Sequence, residues 1–187
     1  MAEKNLKAKV RSAYSVLKNM AGIPTPVYMQ LKPTYRCNMR CRHCNFYKYK
    51  SPELSVEDMK RIISQAHSLG IGFVNLSGGE PLLYKGVEEL LRHSKSLGLF
   101  TMINTNGFLL QRAELKDLDH VAVSLEFPDS QAQDDFRRTK GSFDNAVAGI
   151  RKAKSLGLET RINCVVSALN LTRLPEMAEL AKGLGVK

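Results

Sequence analysis

The sequence has few cysteines and no long apolar run. Four cysteines occur among its 187 residues, three of them within eight positions, and such bunching in an intracellular chain is more typical of metal ligands or redox groups than of a disulfide framework. No apolar stretch approaches the roughly 18 residues that a membrane-spanning helix needs, and the N-terminus lacks the apolar segment of a secretory signal. With 43% hydrophobic and 25% charged residues, the composition is that of a globular domain. We therefore expect a cytoplasmic protein with one main domain.

Acidic residues are almost absent from the first 50 positions. This segment holds 11 Lys and Arg against Glu3 alone, a net charge of +10 that equals the excess of 28 basic over 18 acidic residues in the whole chain. Within residues 1–24, the apolar residues Leu6, Val10 and Leu17 recur at helical spacing among lysines. This pattern predicts a basic amphipathic helix that covers the following domain with its basic face in water. Contact with an anionic membrane surface or an acidic partner is the alternative.

Strand-like and helix-like segments alternate through the predicted core domain, residues 25–187. Apolar or alternating runs predict strands at 27–31, 71–77, 99–104, 120–126 and 158–166. Helical periodicity predicts helices at 56–69, 86–97, 110–117, 143–156 and 173–184. This order is typical of a parallel α/β sheet or barrel. We expect an α/β fold in the form of a partial (β/α) barrel of parallel strands.

A short repeat supports this division of the chain. Ser-Leu-Gly followed by an apolar residue occurs at 68–71, 96–99 and 155–158, and Gly183–Val186 is a looser copy. Each places a glycine where a helix would end in a left-handed residue before the next strand. The spacing predicts five strands, each followed by a helix. Val186-Lys187 resembles the start of a sixth strand, so we expect a truncated domain.

Residues suited to chemistry follow the ends of four predicted strands. The carboxyl ends of parallel strands meet at one edge, where α/β sheets and barrels build their sites. We therefore expect these residues to form a single site. They are Cys37, Cys41 and Cys44 after the first strand, Ser77–Pro81 after the second, Asn104–Gly107 after the third and Ser124–Glu126 at the fourth.

The three clustered cysteines indicate a metal centre. Three thiolates can ligate three irons of a 4Fe-4S cluster and leave the fourth iron open. Zinc is the competing metal, with His43 or Cys164 as a fourth ligand. His43 would have difficulty reaching the same ion as its neighbour Cys44, and Cys164 lies in an apolar strand typical of a buried thiol. The residues favour a cluster, and a zinc-stabilised, non-enzymatic binding module with a basic N-terminus remains the alternative.

Several motifs in order carry a family resemblance. The spacing of Cys37, Cys41 and Cys44 resembles the CxxxCxxC signature of radical S-adenosylmethionine (SAM) enzymes, and Ser77–Pro81 resembles their GGEP motif. Asn106-Gly107 and Val123–Glu126 are similar to the TNG and VSLD segments of one branch, with Glu126 in place of the usual Asp. That branch contains molybdenum-cofactor protein A, haem-pathway enzymes and SPASM-type peptide maturases. Residues 134–143, DDFRRTKGSF, resemble its HDxxRxxxGSF stretch, and the resemblance covers residues 27–187.

The resemblance implies an enzyme with two cofactors, a 4Fe-4S cluster and S-adenosyl-L-methionine. In the family, the amino and carboxylate groups of the methionine moiety chelate the open iron, and one electron from the cluster cleaves the cofactor to methionine and a 5'-deoxyadenosyl radical. That radical would abstract hydrogen from, or add to, an unidentified small-molecule, lipid or peptide substrate. The electron would come from a reductant such as flavodoxin or ferredoxin. No nucleic-acid partner is expected, because the sequence offers no aromatic RNA-binding platform.

The resemblance also implies cofactor-binding residues around the cluster. Gly78 and Gly79 would let the backbone approach S-adenosylmethionine closely, and the Glu80 carboxylate would attract its ammonium group. Ser124 would hydrogen-bond the methionine or ribose part of the cofactor. The resemblance assigns a catalytic role to none of these residues. The remaining two assignments are Asn106, which would shape the adjacent rim, and His43, which would lie near the adenine.

Overall fold

Five parallel strands form one sheet in their chain order. The protein is represented by a computed structural model that describes residues 6–186. The strands are β1 (Tyr28–Thr34), β2 (Phe73–Gly78), β3 (Phe100–Thr105), β4 (His120–Ser124) and β5 (Glu159–Asn163). The helices are α1 (Leu6–Met20), α2 (Val56–Ser68), α3 (Val87–Ser96), α4 (Ser130–Arg137), α5 (Ser142–Ser155) and α6 (Leu174–Gly183). This is the expected partial (β/α) barrel. None of the helices in the described range has the length and apolar character to span a bilayer.

The main core lies between the sheet and its helices. Because side chains alternate along a strand, every second residue of the central strands points toward the helix layer. Leu76, Ile103 and Val121 are such residues, and each is at most 1% exposed. They pack with Leu90 of α3 and Ile150 of α5 in one apolar cluster. This packing fixes the strand register, so the loops after β1, β2 and β3 begin at one edge of the sheet.

The repeated glycines end helices as the sequence predicts. Gly70, Gly98, Gly157 and Gly185 all have positive φ, between 64° and 107°. After α2, the Gly70 N–H donates to the His67 carbonyl and the next N–H donates back to Ala66. The same pair of bonds closes α3, α5 and α6. A side chain at these positions would be strained in the left-handed conformation, which explains the recurrence of glycine.

The predicted helix at 110–117 is wrong. Residues 108–112 form successive turns, with the Leu110 N–H bonded to the Gly107 carbonyl three positions earlier. Lys152 of α5 donates to three carbonyls of this segment, those of Leu110, Gln111 and Ala113. These carbonyls therefore have a partner outside any helix. β3 is consequently followed by turns, and the helix α4 between β4 and α5 was not predicted.

α1 is helical as predicted, but its apolar stripe faces away from the core. Ala8, Ser12 and Ser15 are its buried residues, whereas Leu6 and Val10 are 57% and 59% exposed. The helix can approach the domain closely because the side chains on its inner face are small. Residues 1–5 of the predicted N-terminal segment, and Lys187 of the predicted sixth strand, lie outside the described residues.

Candidate functional site

The cysteine loop follows β1 and is held at its start by one carboxylate. Thr34 Oγ1 donates to Glu53 Oε1 at 2.5 Å, and Arg36 Nε donates to the same oxygen at 2.7 Å. The hydrogen bond from Arg36 and that from Thr34 hold the pKa of Glu53 below its usual value, against the effect of burial. The loop therefore leaves the sheet in a defined direction, although it contains no regular structure up to a single 3-10 turn at Phe46–Lys48.

Each of the three clustered thiols accepts a hydrogen bond. The Met39 N–H lies 3.4 Å from Cys37 Sγ, and the Phe46 N–H lies 3.5 Å from Cys44 Sγ. Arg137 Nη1 lies 3.5 Å from Cys41 Sγ. Donors directed at sulfur stabilise thiolates and tune the potential of iron–sulfur clusters. The donor set therefore fits a cluster held by three thiolates.

Burial acts against ionisation of two of these thiols in the protein chain alone. It raises the pKa of Cys37, although the Met39 N–H acts in the opposite direction. It also raises the pKa of Cys41, where the Arg137 charge opposes the effect. Metal ions bind the thiolate form and displace its proton. Binding of a metal centre at this loop would therefore release protons.

The arrangement does not fit a single zinc ion. Within residues 6–186, no group of three or more His, Cys, Asp or Glu side chains is placed to hold one metal ion. In a cubane cluster each cysteine binds a different iron, so the thiolates need not share one coordination shell. The two candidate fourth zinc ligands are engaged elsewhere. The His43 ring stacks on the Phe136 ring with 4.9 Å between the ring centres, and Cys164 Sγ lies 3.6 Å from Asn170 Nδ2.

Gly78 and Gly79 make the close approach between the β2 loop and the cysteine loop. The Gly79 N–H donates to the Thr34 carbonyl at 3.0 Å. A Cβ on Gly79 would collide with the carbonyls of Tyr35 and Arg36. Gly78 has φ of +124°, a conformation that favours glycine. Both glycines therefore allow the two loops to pack backbone against backbone. Their predicted contact with S-adenosylmethionine stays a prediction.

Glu80 is a fully buried carboxylate that joins the loops after β2 and β3. It accepts hydrogen bonds from Thr105 Oγ1 at 2.8 Å and from the Asn106 and Leu82 N–H groups at 2.9 and 3.1 Å. Burial raises the pKa of Glu80, and these donors act in the opposite direction. At 0% exposure, the side chain is enclosed by protein and connects the backbone segments on which the site is built. The predicted direct attraction of the cofactor's ammonium group by this carboxylate stays a prediction.

The three remaining predicted cofactor residues lie around the same edge. Asn106 Nδ2 donates to Asn38 Oδ1 at 2.7 Å and lies 3.9 Å from Cys37 Sγ, so it connects the β3 loop to the cysteine loop. Ser124 is the last residue of β4 and is half-buried. His43 is exposed, and its stacking on Phe136 fixes the ring over α4. Burial lowers the pKa of His43.

The sequence did not reveal one element of the site, the Glu126–Arg137 pair. Arg137 donates to both carboxylate oxygens of Glu126, from Nε at 2.8 Å and from Nη2 at 2.6 Å. Both side chains are buried, and Gln133 adds bonds to the Glu126 and Phe127 N–H groups. Glu126 and Arg137 both lie in segments that resemble family motifs, so the sequence carries a signal for each residue but none for their pairing.

Comparison with known proteins identifies the family of this chain. A sequence profile described as the Radical SAM superfamily matches residues 31–186. The chain belongs to the Radical SAM superfamily. The cofactors of this superfamily are a 4Fe-4S cluster and S-adenosylmethionine, the pair expected from the sequence. Its members are enzymes, so the family gives no support to the alternative of a non-enzymatic zinc module.

Individual radical SAM relatives match most of this chain but only part of their own length. The AdoMet-dependent heme synthase of Oleidesulfovibrio alaskensis is 27% identical over 172 residues, covering 88% of this chain and 44% of the relative. The PqqA peptide cyclase of Rhodopseudomonas palustris is 33% identical over 171 residues, covering 87% and 45%. The chain therefore spans about half the length of these curated relatives.

Solved radical SAM structures share the fold. Streptococcus suis SuiB, in a crystal structure with bound S-adenosylmethionine, superposes with a TM-score of 0.79 at 22% sequence identity. The superposition covers 92% of this chain and 42% of SuiB. The anSMEcpe enzyme, solved with AdoMet and a Cp18Cys peptide, has a TM-score of 0.72 at 19% identity. At these identities the likeness concerns the fold alone.

Proposed function

We propose that this protein cleaves S-adenosylmethionine reductively at a cluster held by Cys37, Cys41 and Cys44. The observation that carries the proposal is the set of three hydrogen-bonded cysteine sulfurs at the edge of a radical SAM fold. When bound, a reduced cluster supplies the electron that cleaves S-adenosylmethionine to methionine and a 5'-deoxyadenosyl radical. The radical would then act on the substrate.

The chain's own residues would position this chemistry. Glu80 would hold the loops after β2 and β3 together, while Gly78 and Gly79 would seat the cysteine loop against them. Asn106 would fix the cysteine loop from the side through Asn38. Ser124 and His43 would contact the nucleoside or methionine parts of S-adenosylmethionine. Prior fixation of these groups matters because a cofactor bound in one orientation needs no rearrangement before the electron arrives.

We further propose a peptide as the substrate class. The support is the similarity to a PqqA peptide cyclase and a fold shared with SuiB, which has been solved with its precursor peptide SuiA. Small molecules and lipids are the other classes that the sequence allows. The reductant would be a flavodoxin or ferredoxin, because exposed Arg36, Arg40 and Arg42 surround the cysteine loop and suit an acidic donor. These partners imply a cytoplasmic location.

Electron paramagnetic resonance tests the central proposal. The protein would be reconstituted with iron and sulfide without oxygen, reduced with dithionite, and measured with and without S-adenosylmethionine. We expect the signal of a reduced 4Fe-4S cluster, and we expect the signal to change when S-adenosylmethionine binds the open iron. Formation of 5'-deoxyadenosine would then be measured by chromatography. A preparation that binds zinc and no cluster would refute the proposal.

Two cysteine variants provide the matched comparison. Cys41→Ala removes a proposed ligand, and we expect it to abolish the cluster signal. Cys164→Ala removes a thiol that contacts Asn170 and lies outside the proposed ligand set, and we expect the signal to be retained. Equal loss of the cluster in both variants would contradict the ligand assignment.

A further inference from the structure

α1 carries an apolar stripe that no described part of the protein covers. Leu6, Val10, Tyr14 and Leu17 follow one another at helical spacing and are 57%, 59%, 61% and 61% exposed. Met20 continues the stripe at 80% exposure. Isolated exposed apolar residues are common in proteins, but a continuous row along a whole helix marks an interaction surface.

The opposite face of α1 is specialised for attachment to the domain. The Ser15 hydroxyl donates to the Gly70 carbonyl at 2.9 Å, and Arg11 Nη1 donates to the His67 carbonyl at 2.9 Å. A Cβ on Gly72 would collide with the Ala8 carbonyl and the Ser12 hydroxyl, so the helix backbone lies directly on the chain before β2. Rotation of α1 to bury its stripe would break these contacts. The outward stripe is therefore a consequence of how the helix is anchored.

Basic residues border the stripe on both sides. With 100° per residue, Lys7 and Lys18 lie along one border of the stripe and Lys9 lies along the other. Lys18 Nζ lies 4.7 Å from the centre of the Tyr14 ring. No acidic side chain occurs in α1. An apolar stripe between two basic borders is the pattern of a helix that lies in the interface of an anionic bilayer.

The surroundings of α1 extend the same surface. Leu69, which follows α2, is 63% exposed and lines a shallow groove of about 730 Å³ with Leu6, Val10 and Tyr14. Ile23, just after the helix, is 54% exposed. Charge decides between possible occupants. An acidic lipid surface complements the lysine borders along their whole length, whereas a second copy of this chain would bring like charges together.

We propose that α1 binds the surface of an anionic lipid bilayer, with the stripe of Leu6, Val10, Tyr14 and Leu17 inserted among the acyl chains and Lys7, Lys9 and Lys18 at the headgroups. The helix lies parallel to the membrane and does not cross it. Membrane binding is independent of the iron–sulfur chemistry, because the stripe lies at the opposite edge of the sheet from the cysteine loop.

Vesicle flotation tests this surface. The full chain would be mixed with vesicles of phosphatidylcholine alone, or with vesicles that also contain about 30% phosphatidylglycerol. We expect at least about tenfold stronger partitioning onto the anionic vesicles, decreasing as salt is added. The double variant Val10→Asp/Leu17→Asp should lose about tenfold or more of this binding. Equal partitioning onto both vesicle types, or unchanged binding of the variant, would overturn the proposal.

A matched variant controls for the loss of any exposed apolar side chain. Leu156 and Leu171 are 52% and 58% exposed and lie outside α1. Leu156→Asp/Leu171→Asp should therefore retain vesicle binding. Light scattering without vesicles addresses the alternative occupant. If the wild-type protein were a dimer that Val10→Asp/Leu17→Asp dissociated, the stripe would be an interface between copies and the lipid proposal would fail.

Fluorescence gives a second readout that does not depend on loss of binding. The sequence contains no tryptophan, so Val10→Trp would introduce the only indole. Its emission should shift to shorter wavelength with anionic vesicles, because the ring would move from water into the acyl region. Leu171→Trp should show no shift. A Val10→Trp emission that is insensitive to anionic vesicles would contradict insertion. Failure of cluster reconstitution would leave these measurements unaffected, so the two proposals can fail separately.

Discussion

Arg137 connects a buried carboxylate to one of the proposed cluster ligands. Its guanidinium binds both oxygens of Glu126 and directs a third N–H toward Cys41 Sγ. Both partners are nearly inaccessible, with Glu126 at 0% and Arg137 at 6% exposure. A buried charge pair contributes little net stability but is costly to break on one side. Glu126 therefore serves chiefly to hold Arg137 in position at the sulfur.

Removal of this pair should change the cluster more than the fold. In Glu126→Gln/Arg137→Gln, no buried charge is left unpaired, but Cys41 loses a cationic donor. Positive charge and hydrogen bonds at a ligand sulfur favour the reduced cluster. We expect the midpoint potential to fall by about 60 mV, a tenfold change for one electron. Potentiometric titration followed by electron paramagnetic resonance would measure it.

Single variants separate the effect of Arg137 on the cluster from its effect on the free energy of unfolding. Arg137→Gln leaves Glu126 buried without its partner and should lower the free energy of unfolding by about 3–5 kcal/mol. Arg151→Gln on the exposed side of α5 is the control and should change neither the potential nor the stability. If the double variant kept the wild-type potential while its cluster content was normal, Arg137 would have no electrostatic role at Cys41.

At the residue scale, local spacing could be predicted and distant contacts could not. Cys37, Cys41 and Cys44 fall within eight positions, so their shared role is visible in the sequence. Arg137 lies 96 positions from Cys41, and no sequence period connects them. The burial of Glu80 was equally hidden. Its motif indicates a binding carboxylate, whereas its three donors come from the loop after β2, the last residue of β3 and the loop after β3, whose packing only the fold defines.

At the scale of elements, α5 begins without a side-chain cap of its own. Its N-cap residue is Gly141, and the missing acceptor is supplied by Asp134 of α4. The Asp134 carboxylate accepts from the Phe143 N–H at 3.0 Å, the Ser142 hydroxyl at 2.8 Å and the Gly141 N–H at 2.5 Å. Burial raises the pKa of Asp134, but the N–H groups of Phe143 and Gly141 and the Ser142 hydroxyl hold it below its usual value.

This cap should make stability depend on acidity in a defined direction. Because the pKa of Asp134 is lower in the folded than in the unfolded chain, its contribution is present above the unfolded value of about 3.9. That contribution is lost as pH falls through the folded value. We expect Asp134→Asn to lower the free energy of unfolding by about 1 kcal/mol at pH 7. The difference from wild type should narrow below about pH 4, as measured by urea unfolding.

The adjacent residue provides the control for this element. Asp135 lies on the same helix with its side chain exposed. Asp135→Asn should change the free energy of unfolding by less than about 0.5 kcal/mol across the same pH range. An equal pH response in the two variants would show that general charge, and not the cap on α5, explains the effect.

Elements with a local signal were predicted, and those defined by tertiary contacts were not. The glycines after α2, α3 and α5 can be identified from the sequence, because a left-handed position at the end of a helix favours glycine. α4 was missed because its residues are mostly polar and only Ala132 and Phe136 suggest an inner face. The segment 110–117 has residues that suit a helix. It forms turns instead, and Lys152 of α5 donates hydrogen bonds to three of its backbone carbonyls.

At the scale of the whole molecule, the excess positive charge is divided between two opposite edges of the sheet. α1 contacts the chain just before β2, at the edge where the strands begin. The arginines of the cysteine loop lie where β1 ends, about 20 Å away for strands of six residues. The two proposals place an anionic membrane at one basic region and an acidic reductant at the other. The two functions should therefore respond to different substitutions.

A reciprocal pair of variants tests this division. Arg40→Glu/Arg42→Glu should slow reduction of the cluster by flavodoxin about tenfold at low salt, since long-range attraction guides an acidic donor to the loop. Reduction by dithionite should be unchanged, and so should vesicle binding. Lys7→Glu/Lys9→Glu should show the reverse, with normal reduction and reduced binding to anionic vesicles. Stopped-flow absorbance and flotation would measure the two effects. If either variant impaired both functions equally, the net charge of the protein would account for the results. The position of the basic residues at one edge or the other would then have no effect.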